Sequence, residues 1–251
     1  MRQSSRAGVL AAAGAALLCL VLVHAPAADE HPDLTGVWTT YAEPGQPARG
    51  RGARPDLPFT EEAKRKVAAY RALVEPTGDT PGGHCLGTGM PGSMLGSGGY
   101  PMEIHQRPDQ LMIVYEAHSE IRRVYLGSRI VAEADRIPGR NGHSSGRWEG
   151  DTLVVETTHL VEQVDQQYAH SDQARITEKY RLMTGTNGAK VLSAEMTITD
   201  PTFYTRPVTA DKKWALVPDG HLLPYECAEE GWRIRLEELE KKAAASKSTG
   251  R

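Results

Sequence analysis

Between Tyr100 and Val217, apolar and polar residues alternate in one short run after another. In 174–183 one face carries Ala174, Ile176, Glu178, Tyr180 and Leu182; the other carries Arg175, Thr177, Lys179, Arg181 and Met183. Side chains on a strand point alternately to its two faces, so this is the spacing of a half-buried strand. Similar runs predict strands at 101–106, 110–117, 120–126, 144–149, 151–159, 174–183, 189–199, 207–217 and 221–227. Turn residues separate several of them: Pro108-Asp109, Glu149-Gly150-Asp151, and Thr184-Gly185-Thr186-Asn187-Gly188, whose Asn-Gly accepts positive φ. Short connections favour antiparallel neighbours, and a long series of strands loses its exposed edges by closing on itself. The expected fold is mainly β, a single antiparallel barrel.

The rhythm changes outside these runs. Asp33 to Tyr41 is a further β-rich stretch, followed by a Pro/Gly/Arg linker over 43–58. Thr60 is placed to cap a helix, with Glu61 and Glu62 in its first turn. Ala63, Val67, Tyr70 and Val74 then fall on one side, and Pro76 ends the pattern. Residues 77–99 hold nine glycines and no periodicity, which predicts a long loop of the kind used as a lid or binding loop. Near the C-terminus, Trp232, Leu236, Leu239 and Ala243 recur at helical spacing among charges, which predicts a short flanking helix and a polar tail over 229–251.

The first 27 residues change the picture most. Arg2 and Arg6 precede an apolar run from Ala7 to Val23, and Ala25-Pro26-Ala27 fits a small-residue cleavage site. Together they predict a secretory signal, with the barrel domain occupying 28–228 and the mature protein periplasmic or secreted. A run this short sits at the lower limit for a membrane span, so no stable span is expected after cleavage. Cys19 leaves with the signal and the remaining pair, Cys85 and Cys227, has one possible connectivity. In an oxidising compartment that pair predicts a disulfide staple. The net charge of −3 offers no basic field for nucleic acid.

Two segments bring in resemblance. Gly36-Val37-Trp38 on the first strand resembles the G-x-W signature of lipocalin-like barrels, in which the tryptophan plugs one end. The run from His143 through Gly146-Arg147-Trp148-Glu149-Gly150-Asp151-Thr152-Leu153-Val154-Val155 to Thr157 resembles a large set of exported bacterial proteins of unknown function. Segments like Tyr100-Pro101-Met102-Glu103-Ile104, Arg122-Arg123-Val124-Tyr125 and His170-Ser171 extend the likeness over most of 33–228. The resemblance implies a lipocalin-like barrel and export, and it implies no activity.

The candidate chemistry lies among polar side chains expected to face inward. Glu178 lies on the apolar face of its strand with Tyr180, where a carboxylate needs a partner such as Arg123 or a wet cavity. Glu116 shares a face with Met112, Val114 and His118; Arg123 shares one with Ile121 and Tyr125; Glu156 shares one with Thr152 and Val154. His143 and His170 precede or open strands, where imidazoles reach a barrel mouth. The catalytic candidates are therefore Glu178, Glu116, His143 and Arg123, and the ligand-binding candidates His170, Tyr125, Tyr180 and Glu156. No H-x-H or H-E-x-x-H pair, nucleophile elbow or phosphate-cradling loop is present, so neither a metal nor a cofactor is expected. Three readings stay open: a carrier of a small apolar or amphipathic molecule, a cofactor-free acid/base enzyme, and a structural envelope protein.

Overall fold

The computed structural model describes residues 31–42, 45, 57–96, 99–229, 231, 233–238 and 241. The signal-like segment 1–27 and most of the linker lie outside them. Nine strands form a closed barrel: β1 (Gly36–Thr40), β2 (Met102–Arg107), β3 (Gln110–Tyr115), β4 (Glu120–Leu126), β5 (His143–Glu149), β6 (Thr152–Thr158), β7 (Arg175–Thr184), β8 (Lys190–Thr199) and β9 (Val208–Val217). Each strand pairs with the next, and β1 also pairs antiparallel with β9 through Val37↔Val217 to Thr40↔Trp214, which leaves the sheet no free edge.

Two expectations about the strand series change. The β4–β5 pair is parallel, with Val124 opposite Ser144, because the connection 127–142 carries the chain back to the same end of the barrel. Residues 221–227 form no tenth strand. By that point β1 has taken the only edge β9 could offer, Asp219 adopts a left-handed φ of 55°, and Pro224 interrupts the segment. The described residues 233–238 are helical, as the charge pattern implies.

The interior is filled by one row from each strand. Trp38, Met102, Ile104, Leu111, Ile113, Val124, Leu153, Val155, Ile176, Leu192, Met196 and Ile198 are buried in a common core. Trp38 packs with its indole N–H donating to the Leu34 carbonyl at 2.9 Å. At β7 the inward row is Ile176, Glu178 and Tyr180, the face that the alternation predicts. The helix α1 (Glu61–Val74) begins where expected: the Thr60 hydroxyl accepts the Ala63 N–H at 3.2 Å, and Ala63 and Val67 are its buried residues.

The described part of the glycine-rich stretch, 77–96, carries short helical turns rather than forming a structureless loop. It contains a 3-10 turn at Gly82–His84 and a one-turn helix α2 (Gly92–Leu95). Met90 and Met94, almost fully buried, are the apolar anchors that fix it to the core. Cys85 and Cys227 are disulfide-bonded, with Cα atoms 5.5 Å apart. No helix among the described residues is long and apolar enough to cross a membrane.

Candidate functional site

The inward carboxylate of Glu178 does have an arginine partner, but it is Arg122 and not Arg123. Arg122 is 1% and Glu178 0% exposed. The guanidinium donates from Nη1 to Glu178 Oε1 at 3.0 Å and from Nη2 to Oε2, a bidentate pair. Its remaining donors reach Ser144 Oγ at 3.0 Å and Thr157 Oγ1 at 2.8 Å. Tyr180 donates its hydroxyl to Glu178 Oε1 at 2.5 Å. Burial would lower the Arg122 pKa, but the Glu178 carboxylate together with Tyr180 and Tyr115 more than offsets it, and the guanidinium stays charged. Burial, then the same carboxylate, push the Tyr180 hydroxyl up, so it stays a donor. The barrel centre is thus a closed polar network wrapped in apolar side chains.

The other sequence candidates do not join it. Arg123 and Tyr125 point away from the lumen, because β4 turns Arg122, Val124 and Leu126 inward. Two consecutive arginines make either parity of this strand plausible, and the expected Arg123 face is the outer one. Glu116 is not on an inner face either: it follows β3 and accepts the Leu223 N–H at 2.7 Å. Glu156 lies on the outer face of β6, 3.9 Å from Arg147 and 3.8 Å from Arg175. His143 also faces outward, stacked on Tyr125 with ring centroids 5.1 Å apart. Its Nε2 is buried without a partner, and burial followed by Arg136 lowers its pKa. His170 is fully buried against loop carbonyls, Nδ1 3.0 Å from Ser171 O and Nε2 3.0 Å from Met90 O. Burial lowers its pKa too, against those bonds.

The richer site lies where the glycine-rich stretch meets the barrel. A cleft of about 210 Å³ opens between Gly82, Leu86 and Gly92 on one side and Arg140, Gln166 and Tyr168 on the other, with His118 in its wall. Glycine is needed on the loop side because the neighbours come so close. A Cβ on Gly82 would stand 3.3 Å from the His118 ring, one on Gly92 2.7 Å from Gln166 Oε1, and one on Gly89 2.6 Å from the Arg140 carbonyl. Polar anchors beneath hold the stretch down. Glu120 accepts the Gly89 N–H at 3.0 Å, the Ser93 hydroxyl at 2.8 Å and the Asn141 amide at 2.9 Å. Arg140 donates to the carbonyls of Gly87 and Thr88 and pairs with Asp165 at 2.7 Å.

Against this accounting, two atoms in the cleft's lining residues stand out. His118 Nδ1 and Gln166 Oε1 are buried and neither accept nor donate a hydrogen bond; outside the lining, Asn141 Oδ1 and His143 Nε2 are likewise unpartnered. An unmade bond at a buried polar atom costs about 1–3 kcal/mol, so such atoms are not left open without reason. His118 is strained as well. It and Ser119 adopt left-handed φ values of 61° and 49°, a conformation that costs a non-glycine residue about 1–3 kcal/mol. The sequence pattern places His118 only as a neighbour of Glu116 on a strand face, and it singles out none of Arg140, Asn141 and Gln166. Those residues share no strand face or spacing, so only the folded chain brings them together.

A second, wider depression of about 530 Å³ lies against Pro138, Thr158, His159 and Arg175. Thr158 Oγ1 and His159 Nδ1 there already bond each other at 2.9 Å. Among the described residues, no three His, Cys, Asp or Glu side chains are grouped to hold a metal ion. Comparison with known proteins supplies no relative: no family model, no curated protein and no solved structure matches the chain.

Proposed function

We propose that this is an exported protein that binds a small amphipathic molecule, and that the molecule sits in the His118 cleft rather than in the barrel lumen. The observation that carries this reading is the pair of buried, unpartnered atoms, His118 Nδ1 and Gln166 Oε1, on two residues that line the cleft. Gln166 Oε1 can only accept, so the ligand must bring at least one N–H or O–H donor. Leu86, Pro81 and Tyr168 offer apolar surface beside these groups, which suits a molecule with one polar and one apolar side. Export is supported by the signal-like N-terminal run and by the disulfide. The acid/base enzyme built from Glu178, Glu116, His143 and Arg123 loses its footing, because those four side chains occupy four different environments.

Native mass spectrometry of the mature protein tests the reading. A small molecule should accompany the native form and leave on denaturation. His118→Asn keeps a residue tolerant of left-handed φ, and it and Gln166→Leu should each weaken retention about tenfold, the effect of one lost buried hydrogen bond. A molecule retained equally by both variants would place the binding site elsewhere and overturn the assignment.

A further inference from the structure

Residues 218–226, after β9, have no regular structure, are largely exposed, and still touch the cleft wall at several points. The Leu223 N–H donates to Glu116 at 2.7 Å, at the start of the turn that carries His118. The Tyr225 ring lies 4.8 Å from the His118 ring and 5.8 Å from that of Tyr100. Cys227 ends the segment, its sulfur 3.6 Å from the Gly82 carbonyl and bonded to Cys85 in the glycine-rich stretch. The His118 imidazole is therefore gripped between Gly82 and Tyr225, and the disulfide joins the two pieces of chain that carry those residues.

We infer that residues 219–227 are a disulfide-held latch that fixes His118 in the wall of the cleft, so that the thiol state of Cys85 and Cys227 regulates the site. The inference rests on the reading of that cleft as the binding site. Apart from the disulfide and the Cys227 sulfur contact with Gly82, the strap is held to the body, among the described residues, by an exposed hydrogen bond from the Leu223 N–H to the Glu116 carboxylate and by the contacts of the Tyr225 ring with His118 and Tyr100. Segments with so few buried contacts open locally while the rest of the protein stays folded. The barrel does not depend on the strap, since β9 is already closed against β1. A dithiol supplies the chemistry of release. One of its thiolates attacks a cystine sulfur and forms a mixed disulfide, and its second thiol displaces the remaining cysteine. Cys85 and Cys227 end as two thiols with the two electrons and protons, and the dithiol ends as a cyclic disulfide. Once released, the left-handed turn at His118 and Ser119 is free to relax.

The test measures carbethoxylation of His118 by diethyl pyrocarbonate, with His105 on β2 as internal reference because it is exposed and lies outside the strap contacts. Dithiothreitol, or Cys227→Ser, should raise the His118-to-His105 ratio about tenfold with far-UV circular dichroism unchanged, as expected of local opening. Tyr225→Ala should raise it with the disulfide intact. An unchanged ratio after reduction overturns the latch, and so does a rise at both histidines with loss of the barrel signal. The readout needs no ligand, so a failure of the binding reading shows separately, as a protein that retains no small molecule in either thiol state.

Discussion

The barrel centre and the His118 cleft both bury polar side chains, and they treat them in opposite ways. Around Arg122, the Glu178, Ser144, Thr157 and Tyr180 side chains answer one another within hydrogen-bonding distance. At the cleft, whose lining includes His118 and Gln166, the buried atoms His118 Nδ1 and Gln166 Oε1 have nothing bonded to them. A buried carboxylate is therefore a poor marker of function by itself. What distinguishes a site from a structural network is an open valence beside a void.

The sharpest way to break that contrast is to open a valence in the closed network. Glu178→Gln leaves the Arg122 charge buried without a counter-ion, and breaking a buried pair from one side costs about 3–5 kcal/mol. Urea unfolding should show that loss in full. The double substitution Arg122→Met with Glu178→Leu removes both charges and should recover most of it, since apolar replacement of a buried pair is often neutral or stabilising. An urea midpoint for Glu178→Gln equal to that of the parent would mean the centre is wet and accessible, and would return Glu178 to the list of functional candidates.

The cleft is tested next by crowding it. Gly89 has a φ of 72°, and a Cβ there would lie 2.6 Å from the Arg140 carbonyl, a backbone atom that cannot swing aside. Gly99 has a φ of 94° with nothing within 4 Å of its would-be Cβ. Gly99→Ala should cost only the conformational part, about 1–2 kcal/mol. Gly89→Ala should cost about 1–3 kcal/mol more, the range of an overpacked site, and should abolish retention of the small molecule in native mass spectrometry. Equal losses at the two positions would mean that the glycine-rich stretch is not docked as described.

How much of this was legible beforehand follows from where the information resides. Period-two alternation in 174–183 placed Glu178 and Tyr180 inward correctly, because the row is otherwise apolar and its neighbour is not. The same rule misplaced Arg123 and Tyr125: in 120–126 both rows mix apolar residues with arginine, and packing against the lumen decided between them. The disulfide was readable from cysteine arithmetic. The parallel β4–β5 pair was not, since nothing in 127–142 marks a crossover. The cleft escaped for a deeper reason. His118, Arg140 and Gln166 come from three separate connections, and their convergence is a property of the closed barrel and its loops rather than of any local pattern.

The smallest expected effect concerns a cation that the lumen leaves unanswered. Lys212 sits on the row of β9 that includes Val208 and Trp214, opposite the buried Ala194 of β8. Among the described residues it has no salt-bridge partner; its ammonium lies 5.4 Å from the Trp214 ring centroid. Burial pulls its pKa down from 10.5 to about 8. The folded protein therefore holds this proton less tightly than the unfolded chain. Below pH 8 both states are charged and folding bears the whole desolvation cost. Between about pH 8 and 10.5 the folded state sheds its proton first and the cost shrinks; above that range both are neutral and it is gone. Lys212→Met keeps the length of the side chain and removes the charge, so it should stabilise the protein at pH 7 by about 1–3 kcal/mol. The gain over the parent should fade as pH rises from about 8 and be gone above about 10.5. A gain that is independent of pH would assign the effect to packing, and a loss at pH 7 would mean that Lys212 holds an interaction as essential as that of Arg122.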